Sequence, residues 1–381
     1  MKKILILIDS FAGGGAEKVL YTFLEHWDKN KYQFNIVSIV DVGVYANKVS
    51  SIPNINYKPI IFNNKNKIKR IWNAIIYKLI YHYLPIQLVY KLFIPKNNDI
   101  EIAFCEGFVT KLLSYSTNTK ALKIAWVHTD LVSNNWPLTN NIYHSLSDTS
   151  FIYKKFHHVI GVSQTVCYGL KKQYRLNNVQ CIYNPINTEE ILSNCSRSSS
   201  IKDNKSIQIV TVGRLTQIKG FDRLIWAIHQ LVKTKSITTK LQIIGEGEER
   251  HQLQKQIKEL QLEDIVTLSG FKENPYPSMN KADIFVCSSR EEGFSLAISE
   301  AMIIGMPIIS TECSGPKELL ENGKYGLLVD NSKEGLLEGL LKMIEKKQLR
   351  DYYQNKSKER SLIFKLENVL QQTYSLFDYE Q

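Results

Sequence analysis

Residues 282–305 read ADIFVCSSREEGFSLAISEAMIIG. Ala282 to Cys287 is an apolar run of the kind found in a parallel strand buried on both faces. Gly293 then breaks the chain, and a helix is expected from about Ser295, bending toward Gly305 and Pro307. Strand, turn and helix in this order make half of a βαβ unit. Two carboxylates, Glu292 and Glu300, stand eight positions apart across the turn. At 3.6 residues per turn Glu300 falls on the second helical turn, while Glu292 lies on the loop before it. Both can face a ligand at the carboxyl end of the strand, where open α/β sheets bind. Spacing alone does not separate that from two ordinary solvated carboxylates, so the rest of the chain decides.

Working outward, the same alternation continues on both sides. IQIVTVGRL (207–215) is strand plus turn, Phe221 to Leu231 a helix, and LQIIGEGEER (241–250) strand, turn and helix start. Ile265 to Leu268, Pro307 to Thr311 and Gly326 to Val329 are further short strands. The tail from Lys333 is helical, with a break expected near Asp351. In the first half, Ile4 to Ile8 and Tyr32 to Val40 are strands joined by a helix that carries Val19, Leu20, Phe23, Leu24 and Trp27 on one face. Three more strands end in polar residues: at Cys105-Glu106-Gly107, at His128-Thr129-Asp130 and at Ser163-Gln164. A ligand site needs polar groups at that edge, which makes His128, with Asp130 two residues on, a candidate.

The fold class is therefore α/β, with doubly wound parallel sheets. A chain of 381 residues exceeds what one core usually supports. The expected division is a first domain over 1–190, a Ser-rich linker over 191–205, a second domain over 206–360, and a last helix over 361–381 returning to the first domain.

Composition excludes several classes. Hydrophobic residues make up 44%, normal for a folded globular chain, and no apolar run is long enough to span a bilayer. Ile4 to Ile8 is too short for an export signal and is followed by Asp9 and Gly13-Gly14-Gly15. The six cysteines show no C-x2-C pair, so reduced core thiols and a cytoplasmic setting are expected. The glycine turn lacks the third glycine of a dinucleotide fingerprint, and Lys18 precedes Val19 rather than the Ser or Thr of a P-loop. It still permits close approach of a ligand to a helix N-terminus.

The net charge of +11 sits wholly in the first half, because residues 1–199 hold 23 Lys+Arg against 12 Asp+Glu. Between Asp41 and Asp99 there is no acidic residue. Within the segment 65–96, Ile68, Trp72, Ile75, Leu79 and Tyr83 fall at helical spacing among Lys65, Lys67, Lys69, Arg70 and Lys78, until Pro85 breaks the helix. A basic, aromatic amphipathic segment suits an anionic membrane interface. Two alternatives stay open, a packed helical layer with a solvated basic rim and a nucleic-acid surface, although no nucleic-acid motif accompanies it.

Two stretches together resemble a known family: GRLTQIKGFDRLIWA (213–227) and SREEGFSLAISEAMIIGMPIISTECSGPKELLENGKYGLLV (289–329). They are similar to the retaining nucleotide-sugar glycosyltransferases of family 4. GGGAEKVL (13–20) and IAWVHTDL (124–131) resemble the bacterial surface-polysaccharide members. The resemblance implies a GT-B fold, two Rossmann-like domains facing a cleft, and no metal or other cofactor beyond the nucleotide-sugar donor, most simply a UDP-sugar. It implies Arg214 and Lys219 on the diphosphate, with Gly293, Phe294 and Ser295 adding backbone donors at a helix start. It puts Glu300 on the ribose, Glu292 on the transferred sugar, Phe271 against the base, and Gly14, Gly15 and Gly245 around the donor. His128 falls near the reacting sugar. The implied partners are a nucleotide sugar, a lipid-diphosphate-linked glycan acceptor and an anionic membrane surface, at the inner face of the plasma membrane, in capsule or O-antigen assembly. Asn187 stands where relatives usually have Asp, and Gly315-Pro316 replaces a Gly-Gly pair. Rival functions are a nucleotide-sugar 2-epimerase of the same fold and a catalytically silent scaffold.

Overall fold

The computed structural model describes residues 1–63, 66–195, 206–234 and 238–378. It divides into two compact units, Met1–Pro185 with Glu367–Gln381, and Ile186–Leu366.

The first unit holds a seven-stranded sheet in the order β3-β2-β1-β4-β5-β6-β7, all neighbours parallel. The strands are β1 (Lys2–Ile8), β2 (Tyr32–Val40), β3 (Ile55–Ile61), β4 (Ile100–Ala103), β5 (Leu122–Val127), β6 (His158–Gly161) and β7 (Val179–Cys181). Ile4 to Ile8 of β1 are buried without interruption, the pattern of a central strand covered on both faces. Edge strand β3 was not evident from sequence. Its first four positions alternate half-buried and exposed, and Pro59 within it forbids one ladder hydrogen bond, which only an edge tolerates. The helix Leu366–Phe377 packs on this unit. Phe377 meets Trp27 and Tyr32 edge-on at 5.4 Å each, and the backbone N–H of Asp28 donates to the Tyr374 hydroxyl at 2.8 Å.

The second unit has a six-stranded parallel sheet, β10-β9-β8-β11-β12-β13. Its strands are β8 (Ile207–Val212), β9 (Thr239–Ile244), β10 (Val266–Leu268), β11 (Ile284–Cys287), β12 (Ile308–Thr311) and β13 (Leu327–Val329). The helix Phe221–Thr234 buries Leu224, Ile225, Ile228 and Leu231 against this sheet, and the helix Lys333–Glu345 adds Leu336, Leu340 and Met343. The break in the C-terminal helices falls at Lys346, not near Asp351, which lies inside the helix Lys347–Ser361.

The expected linker is corrected in part. Residues 188–195 form a helix packed on the helices Tyr276–Lys281 and Leu296–Ile304, so residues 186–190 group with the second unit rather than the first. Residues 196–205 lie outside the described residues. Asn187 serves this helix start, its side-chain oxygen accepting from the N–H of Glu190 at 3.1 Å.

Strand order decides where ligands can sit. In both sheets the order of strand addition reverses once, between β1 and β4 and between β8 and β11. At such a point the flanking loops leave the sheet to opposite sides and open a crevice at the carboxyl ends of the strands.

Candidate functional site

In the second unit the segments after β8 and β11 meet at the reversal point. Lys219 closes a short 3-10 turn, Gln217–Lys219, and Glu292 stands on the loop after β11. Lys219 Nζ donates to Glu292 Oε2 at 2.5 Å, and Ser289 Oγ donates to the same oxygen at 3.0 Å. A small pocket here is lined by Lys219, Glu292, Ser288, Ser289, Ser295 and Thr211, among others. Burial works against the Lys219 charge, but the Glu292 carboxylate outweighs it and holds the ammonium above its ordinary range. The turn needs Gly220, which sits at φ 64° where a Cβ would stand 2.2 Å from the Ser288 carbonyl oxygen.

The helix Leu296–Ile304 begins where the sequence indicated. Ser295 is its N-cap and accepts from the N–H of Ile298 at 3.4 Å, and Gly305 ends it in the left-handed region at φ 81°. Its amino end, with Ser295, borders the pocket and favours negative charge there. The Glu292 carbonyl is fixed from behind by the N–H of Gly315 at 2.8 Å and Ser314 Oγ at 3.0 Å. Gly293 passes so close to Gly315 that a Cβ on Gly315 would lie 2.8 Å from the Gly293 carbonyl. Phe294 turns into the interior, edge-on to Phe364, so what it can offer a ligand is backbone rather than ring.

The remaining expected donor residues are placed separately. Arg214 is exposed two residues beyond β8, and Phe271 is exposed after Gly270. Gly245 has a packing reason of its own: a Cβ there would stand 1.9 Å from the Gly213 carbonyl oxygen. Glu300 does not line the Lys219 pocket. It is buried at 4% exposure, with the Tyr276 hydroxyl 3.5 Å from Oε1.

In the first unit the reversal point carries carboxylates. Gly14 caps the helix Gly15–His26 and offers it no side chain. Asp9 follows β1 and accepts from the Tyr81 hydroxyl at 3.1 Å. Glu106, after β4, is 5% exposed, and its Oε2 accepts from the His128 N–H at 2.9 Å. Glu106 Oε1 takes the Thr129 hydroxyl and the Trp136 indole N–H, the latter at 3.2 Å. Glu106, not Asp130, is thus the carboxylate that holds the His128 segment. Asp130 instead closes its own turn, accepting from Val132 N–H at 3.0 Å. His128 Nε2 is buried without a hydrogen-bond partner among the described residues, and burial lowers the imidazole to about 4, against the opposing pull of Glu106. The ring is therefore neutral near pH 7.

Burial raises Asp9 to about 7 from 3.8, opposed by the Tyr81 bond and helped by Glu106 and Glu17. The sign follows from linkage. The folded state binds this proton more tightly, so the contribution of Asp9 is fully present below pH 3.8 and is lost as pH rises through about 7. Asp9→Asn is therefore expected to raise the melting temperature at pH 8 and to change it little at pH 4, read by thermal melting at both. An equal shift at the two pH values would refute it.

The segment expected to be amphipathic forms the helix Lys67–Lys78, one π-turn (Leu79–Tyr83) and the helix Ile86–Phe93. Its apolar stripe faces outward: Ile68, Ile71 and Trp72 are 66%, 62% and 60% exposed, with Lys69, Arg70 and Lys78 also exposed. Tyr81 points the other way, stacking on Phe108 at 4.0 Å and reaching Asp9. Lys65 lies outside the described residues. No helix among the described residues is long and apolar enough to cross a membrane.

Residues 194–360 match the family model described as "Glycosyl transferases group 1". Over 376 residues the chain is 30% identical to a Campylobacter jejuni protein named N-acetylgalactosamine-N,N'-diacetylbacillosaminyl-diphospho-undecaprenol 4-alpha-N-acetylgalactosaminyltransferase, covering 96% of each. It is 27% identical over 357 residues to an uncharacterized glycosyltransferase of Methanocaldococcus jannaschii, covering 83% of this chain and 86% of that one. The solved structure of Anabaena HepE in complex with UDP and glucose has the same fold, at TM-score 0.76 and 19% identity over 99% of both chains. So has a point mutant of Staphylococcus aureus TarM, solved with fondaparinux, α-GlcNAc-glycerol and UDP, at TM-score 0.75 and 15% identity over all of both chains.

Proposed function

The chain belongs to the group 1 glycosyl transferases, and we propose that it moves a hexose or N-acetylhexosamine from a UDP-sugar to a lipid-diphosphate-linked glycan during assembly of a bacterial surface polysaccharide. The observation that carries this reading is Lys219 paired with Glu292 at the strand-order reversal of the second unit. Breaking the bond to the sugar leaves negative charge on UDP, and a cation fixed beforehand stabilises that charge without reorganising. Lys219 is such a cation, and Arg214 is the second that the resemblance assigns to the diphosphate. Glu292 would trade Lys219 for a hydroxyl of the bound sugar. The neutral, unpartnered His128 Nε2 suits a hydrogen bond to a sugar hydroxyl better than proton abstraction. In this reading the reaction retains the anomeric configuration, needs no metal, and passes the acceptor's proton to a phosphate oxygen of the leaving group. The name of the Campylobacter relative supports a diphosphate-linked lipid acceptor, and the UDP complexes of HepE and TarM support the nucleotide.

The test is a donor screen. UDP-glucose, UDP-N-acetylglucosamine and UDP-N-acetylgalactosamine are each incubated with lipid-linked glycans extracted from membranes, and UDP release and product mass are followed. Product heavier by one sugar residue supports the proposal. Formation of an epimer from donor alone, with no transfer, would replace it with the epimerase.

We further infer that the exposed face of Lys67–Lys78 holds the enzyme against anionic lipid, near that acceptor. Each Lys or Arg at such a surface is worth about 1 kcal/mol, so converting Lys69, Arg70 and Lys78 to Glu reverses three favourable contacts. The triple variant is expected to release vesicles containing phosphatidylglycerol while the native protein sediments with them, and Trp72 fluorescence should shift blue only for the native protein. Equal sedimentation with neutral phosphatidylcholine vesicles would refute the electrostatic part.

A further inference from the structure

Arg290 and Asp222 stand outside the Lys219 pocket and no step above uses them. The β8–β11 register joins Ile209 to Ile284 and Val210 to Phe285, and the loops that carry Lys219 and Glu292 run on well beyond it. Side chains take over there. The Arg290 guanidinium grips the Asp222 carboxylate in bidentate fashion, at 2.8 and 2.7 Å. The same Nη1 reaches the Gln217 carbonyl at 2.5 Å, and the Arg290 backbone N–H donates to the Ile218 carbonyl at 2.7 Å. Ser288 Oγ donates to the Lys219 carbonyl at 2.8 Å. Arg290 thus holds the chain before Lys219 through Gln217 and Ile218, and the chain after it through Asp222.

We propose that Arg290 and Asp222 are positioning residues that set Lys219 against Glu292 in the geometry a nucleoside diphosphate requires. This rests on the reading that the UDP diphosphate binds at Lys219. The ion pair is partly exposed on both sides, at 33% and 43%, so solvent screens what it contributes to folding. Its planar, two-point geometry fixes direction, and a displacement of one ångström at a charge-binding site is enough to lose much of its effect. The proposal therefore separates binding from stability.

The experiment uses the full chain and UDP itself as the probe, with affinity from calorimetry and melting temperature measured without UDP. Arg290→Ala and Asp222→Asn are each expected to weaken UDP binding on the order of tenfold, while melting moves by no more than about 3 °C. Arg290→Lys keeps the charge but loses the fork, so its affinity falls between. The double variant should bind UDP no more weakly than the worse single one, because both act through one contact. UDP affinity unchanged in the folded single variants overturns the proposal, as does a double variant whose losses multiply, or a large drop in melting with affinity intact. A native protein that fails to bind UDP removes the donor reading, and this proposal falls with it.

Discussion

Lys219→Ala is expected to lower the transfer rate on the order of 10²- to 10³-fold, the range seen when one preorganised charge-stabilising donor is removed. The charge matters in the transition state more than in the bound donor, because it is there that the diphosphate takes up the electrons of the breaking bond. Turnover should therefore fall more than donor affinity. Folding should survive. Lys219 and Glu292 side chains are 27% and 12% exposed, and Ser289 still donates to Glu292 when the ammonium is gone. Leaving that carboxylate without its cation costs about 3 kcal/mol, so the variant folds but melts lower. Lys219→Arg should not restore activity, because a planar fork cannot take the place of a compact ammonium in so narrow a turn. Transfer of labelled sugar, read alongside thermal melting, checks both halves. A folded Lys219→Ala protein that transfers at the native rate would sink the donor site as described.

The strand, turn and helix at 282–305 were legible because each boundary has a local cause: an unbroken apolar run, Ser295 as N-cap and Gly305 in the left-handed region. Parallel sheets followed from alternation alone, and the order of the strands places Lys219 and Glu292 at a reversal point. What sequence did not reveal depends on contacts distant along the chain. Glu106 acts through Thr129 and Trp136, 23 and 30 positions away. Arg290 meets Asp222 across 68 positions, and inside an SREEGF motif it reads as one more solvated charge beside the glutamates. A polar residue directly after each strand was the available signal, and it marked Cys105-Glu106-Gly107 as an edge without saying which atom would be held. In the basic segment spacing went part of the way. Period 3.6 found the helix and its stripe, but the stripe faces outward, and periodicity cannot say whether an apolar face is covered.

The two reversal points also differ in charge, and that bears on which substrate group each can take. In the second unit the pocket presents an ammonium, paired with Glu292, and a helix amino end; once Glu292 turns to the sugar, these suit a diphosphate. In the first, burial and Glu106 together push Asp9 toward its protonated form, and His128 stays neutral. An edge of that kind receives hydroxyl groups more readily than phosphate. Under the proposed function, a hydroxyl of the acceptor sugar would be received there.

Glu300→Gln should separate function from stability most sharply. The helix Leu296–Ile304 is buried on nearly every side, with Ile298, Ser299, Ala301, Met302 and Ile303 inside along with Glu300. The Glu300 carboxylate has polar contacts of its own in these surroundings, among them the Tyr276 hydroxyl 3.5 Å from Oε1. If Glu300 accepts both ribose hydroxyls, as the resemblance implies, glutamine can accept one and must present N–H to the other. A charge-assisted hydrogen bond is worth about 1.5–3 kcal/mol, so UDP affinity is expected to fall roughly 10- to 100-fold, with donor KM rising in step. The melting temperature without ligand should stay nearly level, because glutamine keeps the length and shape of the side chain. UDP lacking its ribose hydroxyls supplies the control, since it should bind native and Glu300→Gln proteins alike. Equal UDP affinity in the two proteins would remove the ribose role. A marked fall in melting temperature would show instead that the carboxylate holds its own helix in place.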